Sequence, residues 1–273
     1  MERWLGIDFS GNYLKWRPLC TTSNVWIAEM EEAAGGWYKL TNLRQVQQLP
    51  GGESPFDRLC TALAEGRFRA AGIDAPFSVP LDYLPIGGHT ALLDAVSSLR
   101  EPSRPFPKAR AFVTQIVNTS RPLISPKPYR ICEQYWANQG INVRSTLWSG
   151  PRSGAPMTAA CLTLLYQAAR PIWPWCTPDA SGFLVEAFPA AQLKRWTLPY
   201  QQYDGAKGIK NRLTILEGLE RKLEVGAHRA SLMASADAID SVLCAFAAVA
   251  ASEGALAVQA WESSDEGWIA VHH

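Results

Sequence analysis

Five carboxylates in this chain of 273 residues stand in settings where they could do chemistry together. Asp8 closes the short apolar run Trp4-Leu5-Gly6-Ile7, and Ser10 and Gly11 follow in a permissive turn. Asp74 closes a second run, Ala70-Ala71-Gly72-Ile73, so that Gly-Ile-Asp occurs twice. Glu186 lies inside a third run, Phe183 to Phe188, where a charge requires a partner, a metal or a shifted pKa. Asp237 and Asp240 are three apart and share one face of a late helix. Converging carboxylates repel one another at low effective dielectric and stay ionised together only around cations. Hard oxygen ligands suit Mg²⁺ or Mn²⁺. Two such ions, about 3.5–4 Å apart, activate a water and stabilise the leaving oxygen in phosphodiester cleavage. On that reading Asp8, Asp74, Asp237 and Asp240 hold the metals, and Glu186 is a further ligand or orients the attacking water. Ser10, a hydroxyl beside a glycine, is a candidate for substrate phosphate.

Each acid also has a plainer explanation. Strands end in Asp for turn chemistry, and Gly-Ile-Asp is an ordinary tripeptide. Ser235 can cap a helix whose dipole favours acids in its first turn. The surrounding elements bear on the choice. Residues 3–9 and 70–76 read as strands joined through a helix that opens at Ser54-Pro55 and stops at Gly66. A crossover of that kind makes the strands parallel and brings both carboxylates to one sheet edge. Between them, 25–30 and 37–43 read as antiparallel strands around a turn at 34–36, with Asn12–Trp16 prolonging a hairpin. Residues 183–189 supply the third acid-bearing strand, and 190–196 a short helix. Longer helices are expected at 155–169, 209–224 and 235–251. In the last, the acid face runs on into Cys244, Ala247, Ala248 and Ala251, while Ile239, Val242, Phe246 and Val249 line the opposite side. A helix apolar all round is buried, so its acids should face another element. Lys210, Arg212, Arg221 and Lys222 read as a solvated face, and 267–271 as a last short strand or loop.

A hydrophobic fraction of 47% and a charged fraction of 19% describe a folded chain. The net charge of +1 rules out a global field toward polyanions. Charge is nevertheless local: from Arg100 to Arg152 nine Lys or Arg are opposed only by Glu101 and Glu133. Prolines at 80, 85, 102, 105, 107, 122, 126 and 128 break this region into pieces, with helices expected at 88–99 and 129–138. Phe106, Phe112, Tyr129, Tyr135 and Trp136 are interleaved with the charges. That mixture suits single strands or distorted duplexes, and equally a solvated insertion with a small aromatic core. Six cysteines without CxxC or Cys/His spacing favour a reducing compartment. With no signal-peptide pattern and no membrane-length apolar run, the expectation is a soluble cytoplasmic protein.

The order and placement of the acids resemble the ribonuclease H-like superfamily, and the Asp-x-x-Asp at 237–240 is similar to its Holliday-junction resolvase branch. More closely, five pieces resemble the DUF429 family, regarded as predicted RNase H-like nucleases. They are Gly6-Ile7-Asp8-Phe9-Ser10-Gly11, Gly72-Ile73-Asp74-Ala75-Pro76-Phe77, Arg130-Ile131-Cys132-Glu133, Val185-Glu186-Ala187-Phe188-Pro189-Ala190 and Ala236-Asp237-Ala238-Ile239-Asp240-Ser241. The resemblance implies an α/β fold with a mixed five-stranded sheet flanked by helices. It also implies one domain over 1–273, with a proline-rich basic insertion at about 78–154, and a metal-dependent nuclease whose partner is DNA or RNA. Arg130 and Lys207 match recurrent basic positions, which implies phosphate contact. The Ser10–Asn24 stretch and the insertion are longer than the family pattern. Two alternatives stay open. An actin/hexokinase-like ATP-dependent phosphotransferase also begins with a strand, an acid and a hydroxyl/glycine turn, but Gly87-Gly88 is its only candidate adenosine loop. The other is an inactive nucleic-acid- or protein-binding module of the same fold.

Overall fold

Strand β1 (Arg3–Asp8) is buried from Trp4 to its end, because it runs down the middle of a sheet covered on both faces. The computed structural model describes residues 2–33, 35–101, 103–119, 127–151, 153–258 and 265–273. Ala34 of the expected turn, Pro102, Pro122, Pro126, Arg121, Arg152 and Trp261 lie outside the described residues. After β1 come β2 (Trp26–Ala33) and β3 (Trp37–Gln45), each antiparallel to its predecessor. Helix α1 (Pro55–Ala64) then crosses back. Ser54 caps it by accepting from the Asp57 N–H, and Pro55 fits its first turn, where no amide donor is needed. The crossover delivers β4 (Ala70–Ile73) parallel to β1, with Gly6 opposite Gly72.

Next come α2 (Gly88–Ser97), α3 (Ala109–Thr119), α4 (Ile131–Asn138) and α5 (Ala155–Ala168), followed by β5 (Phe183–Glu186), parallel to β4. The rest is α6 (Pro189–Arg195), α7 (Ile209–Leu219), β6 (Leu223–Glu224), α8 (Arg229–Ala234) and α9 (Ala236–Glu253). Among the described residues the result is a mixed six-stranded sheet in the order β5-β4-β1-β2-β3-β6, flanked by nine helices.

Side-chain alternation divides the core in two. Trp4, Ala70, Phe183 and Val185 pack with α9, α7 and the chain end on one face. Leu5, Ile7, Ala71, Ile73 and Leu184 pack with α1, α2, α3 and α5 on the other. Among the described residues no helix is long and apolar enough to cross a membrane. All six cysteines are free thiols, four of them buried.

Several expectations are corrected. The sheet has six strands, not five: the expected 209–224 helix stops at Leu219, and Leu223–Glu224 pair with Tyr38 and Lys39 instead. Arg212, read as solvated, is 4% exposed and donates to the carbonyls of Tyr203, Gly205 and Met233. Asn12–Trp16 is no hairpin. Asn12 accepts from the Leu14 N–H and starts a 3₁₀ turn over Tyr13–Trp16. The third acid strand ends at Glu186 because Pro189 already opens α6. Residues 267–271, expected as a last short strand or loop, make an isolated bridge, Ala270 with Ala187. In the 78–154 region, read equally as a nucleic-acid surface and as a solvated insertion with a small aromatic core, Val96, Phe106, Phe112 and Ile116 are fully or almost fully buried in the second core.

Candidate active site

The two glycines of the repeated Gly-Ile-Asp position the site. A Cβ on Gly6 would lie 1.9 Å from the Ser241 carbonyl oxygen, and one on Gly72 would lie 1.9 Å from that of Cys244. Only glycine lets α9 rest its backbone on β1 and β4 so closely. Cys244, Ala247, Ala248 and Ala251 are the small residues of that face. Ser235 caps the helix by accepting from the Ala238 N–H, which sets its first turn beside the ends of the two strands. Asp8 and Asp74 leave those ends, and Asp237 and Asp240 leave the helix. The acid-bearing face is therefore the packed face, as its small residues predicted.

Asp8 is 5% exposed, and its Oδ2 is buried with no hydrogen-bond partner. Burial, and then the charges of Asp240, Asp74 and Asp237, push its carboxyl well above the usual range. Burial raises Asp74 to about 7, with the Arg144 charge opposing the shift and Glu186 adding to it. Asp240 is likewise pushed well up by burial and by Asp74, while a hydrogen bond from Tyr203 Oη, at 2.8 Å, pulls the other way. Asp237 sits farther out. Burial raises it, but Lys15 and Asp204 are the charges that act on it. The structure thus brings Asp8, Asp74 and Asp240 together, with Asp237 at the rim.

A cavity of about 290 Å³ opens on Asp74 and Asp240 but not on Asp8; Tyr203, Arg144 and Met157 line it, and so do Glu186, Arg130 and Glu133. Its donors are hard oxygens, and the orphaned Asp8 Oδ2 is the kind of atom a hard cation satisfies, so the set fits Mg²⁺ or Mn²⁺ in kind. As the side chains lie, no three His, Cys, Asp or Glu among the described residues form a group that could hold a metal ion. The carboxylates would have to turn toward one another on binding, a movement their repulsion opposes until a cation is present.

Glu186 lines the same cavity and its charge acts on Asp74, but its carboxylate is held by another partner. Its strand register sets it level with Ile73 and, through β4, with Ile7, so alternation sends its side chain to the opposite face of the sheet from Asp8. There it has a partner. Arg130 Nη1 donates to its Oε2 at 2.7 Å and Nη2 to its Oε1, and the Phe77 N–H also reaches Oε2, at 2.9 Å. Arg130 Nε donates to Glu133 Oε1 at 3.1 Å, and Glu266 accepts from the Ile131 N–H at the start of α4. Glu186, expected as a ligand, and Arg130, expected as a phosphate contact, thus bind each other at the wall of the acid cavity. Arg130 is 1% exposed, and all three of its guanidinium nitrogens are engaged by carboxylates. Together they are a buried brace between α4, β5 and the Phe77 turn.

Ser10 is 7% exposed, accepts from the Asn12 N–H at 3.3 Å, and lines a neighbouring cavity of about 440 Å³. Lys207 is exposed on a 3₁₀ turn four residues after Tyr203, outside the lining of the acid cavity. Two site residues escaped the sequence reading. Tyr203 fixes Asp240, and exposed Arg144 lines both cavities. The only signal for Tyr203 was its place beside the Asp204-Gly205 turn. Arg144 was one of nine basic residues.

No curated protein and no solved structure shows a significant match to the chain. The span that does match a known family begins after β1, so it takes in Asp74, Arg130, Glu186, Lys207, Asp237 and Asp240 but neither Asp8 nor Ser10. That match, to the family described as "Protein of unknown function (DUF429)", covers residues 54–262, most of the sequence, and the chain therefore belongs to the DUF429 family.

Proposed function

We propose that this protein is a divalent-metal-dependent nuclease of the RNase H-like kind, hydrolysing phosphodiester bonds of nucleic acid where β1, β4 and α9 meet. The observation that carries this reading is Asp8, a buried carboxylate whose Oδ2 has no partner and whose nearest charges are other carboxylates. A buried, unpaired carboxylate among like charges is costly and is retained where it has a task. Asp8, Asp74 and Asp240 would hold Mg²⁺ or Mn²⁺, with Asp237 as an outer ligand. A bound divalent ion supplies a more acidic water and a positive charge against the phosphate. The chain's own groups do the positioning. Tyr203 fixes the rotamer of Asp240 through its hydroxyl, and α9 holds that acid over the strand ends. Arg144, exposed at the mouth, draws the phosphate toward the carboxylates. Ser10 and Lys207 are candidate outer contacts. Glu186 acts at a distance, through the brace.

The test compares wild type with Asp8→Asn on single-stranded, branched and hybrid substrates with Mg²⁺ or Mn²⁺. Cleavage by wild type alone is expected. A second readout needs no turnover. At 100 times its Kd, Mn²⁺ should stabilise wild type by about 2.7 kcal/mol and leave Asp8→Asn unmoved. Equal cleavage by both proteins, or no thermal shift in wild type, refutes the reading. Magnesium-dependent ATP turnover without cleavage would point to a phosphotransferase instead, and metal binding without turnover to a binding module.

A further inference from the structure

The acid cavity is one of three openings that adjoin. It shares Arg144 and Met157 with the cavity of about 440 Å³ lined by Ser10 and Asn12. That cavity shares Tyr13 and Arg104 with a third, of about 670 Å³, which Arg17 and Arg100 also line. The series carries five arginines: Arg130, whose guanidinium is held by Glu133 and Glu186, and four others, Arg17, Arg100, Arg104 and Arg144. Among the described residues none of these four has a carboxylate within salt-bridge distance, in contrast to Arg130 or Arg229. Two acids, Asp57 and Glu101, line the far opening. Glu101 is answered by Lys108 at 3.2 Å, and Asp57 accepts from the hydroxyl of Ser54. Arg104 lies over the Tyr13 ring, 4.1 Å from its centroid, with Arg17 at 5.5 Å. The ring thus holds the Arg104 head, while Arg17 is exposed and farther out. The buried Nε of Arg104 has no partner.

Guanidinium groups without carboxylates, one of them held against an aromatic ring, suit two things that alternate along a polynucleotide. Phosphates accept their forked donors, and bases stack on their planes. The middle of the series is recessed: Arg104 and Tyr13 are half-buried and Ser10 more so, while Arg17, Arg100 and Arg144 are exposed around it. A duplex offers a convex surface to such openings and cannot enter them, whereas a single strand can. We infer that the three openings form a binding track for single-stranded nucleic acid. Arg104 and Arg144 contact successive phosphates, and the strand leads to Asp74 and Asp240. The track's direction rests on the nuclease reading; its affinity does not.

Fluorescence anisotropy tests this with labelled oligothymidylate and oligouridylate of about 12 nucleotides, in EDTA. Binding is measured across about 50–200 mM salt. Arg104→Ala/Arg144→Ala should bind at least about tenfold more weakly and lose about 1.4 from the salt slope, at about 0.7 per phosphate contact. Arg144→Ala alone, an exposed substitution that leaves the fold intact, should lose about half of that slope. Arg229→Ala, outside the openings, should match wild type, and a matched duplex should bind at least about tenfold more weakly than the single strand. Unchanged affinity and slope in the arginine variants, or a duplex bound as tightly, overturns the track. Absence of binding by wild type overturns it too. Arginine-dependent binding with no cleavage by wild type would retain the track and reject the nuclease. Cleavage without arginine-dependent binding would do the reverse.

Discussion

Gly72→Ala puts the seating of α9 to a direct test. The new Cβ would lie 1.9 Å from the Cys244 carbonyl oxygen and 2.8 Å from its carbonyl carbon. Both atoms are helix backbone, so no side chain can rotate out of the way. Ordinary contact begins near 3.4 Å, which means the helix must lift by about 1.5 Å. Overpacking costs about 1–3 kcal/mol where side chains can adjust, and backbone against backbone belongs at the upper end, about 3 kcal/mol. In a chain of this size that is a fall in Tm of roughly 6–12 °C. Asp237 and Asp240 ride on the lifted helix, and if they hold the metals as proposed, a displacement of about 1 Å there costs about 10²-fold in rate. Thermal unfolding and metal-dependent cleavage, the latter well below the variant's Tm, measure the two effects. Gly52→Ala is the control. Nothing lies within 4 Å of its Cβ, and it should stay within about 0.5 kcal/mol of wild type. A Gly72→Ala protein melting within about 2 °C of wild type would refute the close seating of α9 on β4.

Two further outcomes follow from the buried groups. Arg130→Met should destabilise by about 3–5 kcal/mol in urea unfolding, because it strands Glu133 and Glu186 without their partner, yet leave oligonucleotide affinity of the folded protein unchanged; a stable variant that binds nucleic acid poorly would restore a phosphate role to Arg130. Burial lowers His89 to about 4 although its Nε2 donates to the Phe77 carbonyl, so its contribution to stability is complete above the unfolded value of 6.5 and is lost as pH falls toward 4. The loss approaches about 3 kcal/mol. His89→Gln should flatten that part of the stability-versus-pH curve, and identical curves would refute it.

The acid pair at the strand ends was legible because its information is local. Each Gly-Ile-Asp sits in an apolar run with turn signals after it, and the small face of 244–251 announced a close approach. The partner in that approach, the glycine backbone itself, was present in the same tripeptides. Its role emerges only when Gly6 and Gly72 are paired in register. Glu186 shows the opposite case. Its sequence setting demanded a partner, a metal or a shifted pKa, and the partner proved to be Arg130, 56 residues away. Which face of the sheet the acid leaves by depends on register, which a strand does not carry in its own residues. Strand β6 was hidden for a different reason. Leu223 continues the spacing of Leu216 and Leu219, so a two-residue strand looks like one more turn of helix. Helix α3 was masked by the prolines before it and by its own Val113, Thr114, Ile116 and Val117, which favour strands. The aromatics of the basic segment divided: Phe106, Phe112 and Trp136 are core, and Tyr129 is exposed.

Helix α9 rests on β1, and the two come from distant parts of the chain: Trp4 donates to Ser252 across 248 positions at 2.8 Å. Closing so long a loop is slow compared with forming the local hairpin β2–β3. During synthesis, β1 and β4 therefore wait with one face uncovered until the late helix leaves the ribosome. The acids cannot assemble before then. A chain broken off anywhere short of α9 lacks Asp237 and Asp240, so the cluster of acids arises only once that helix has been made.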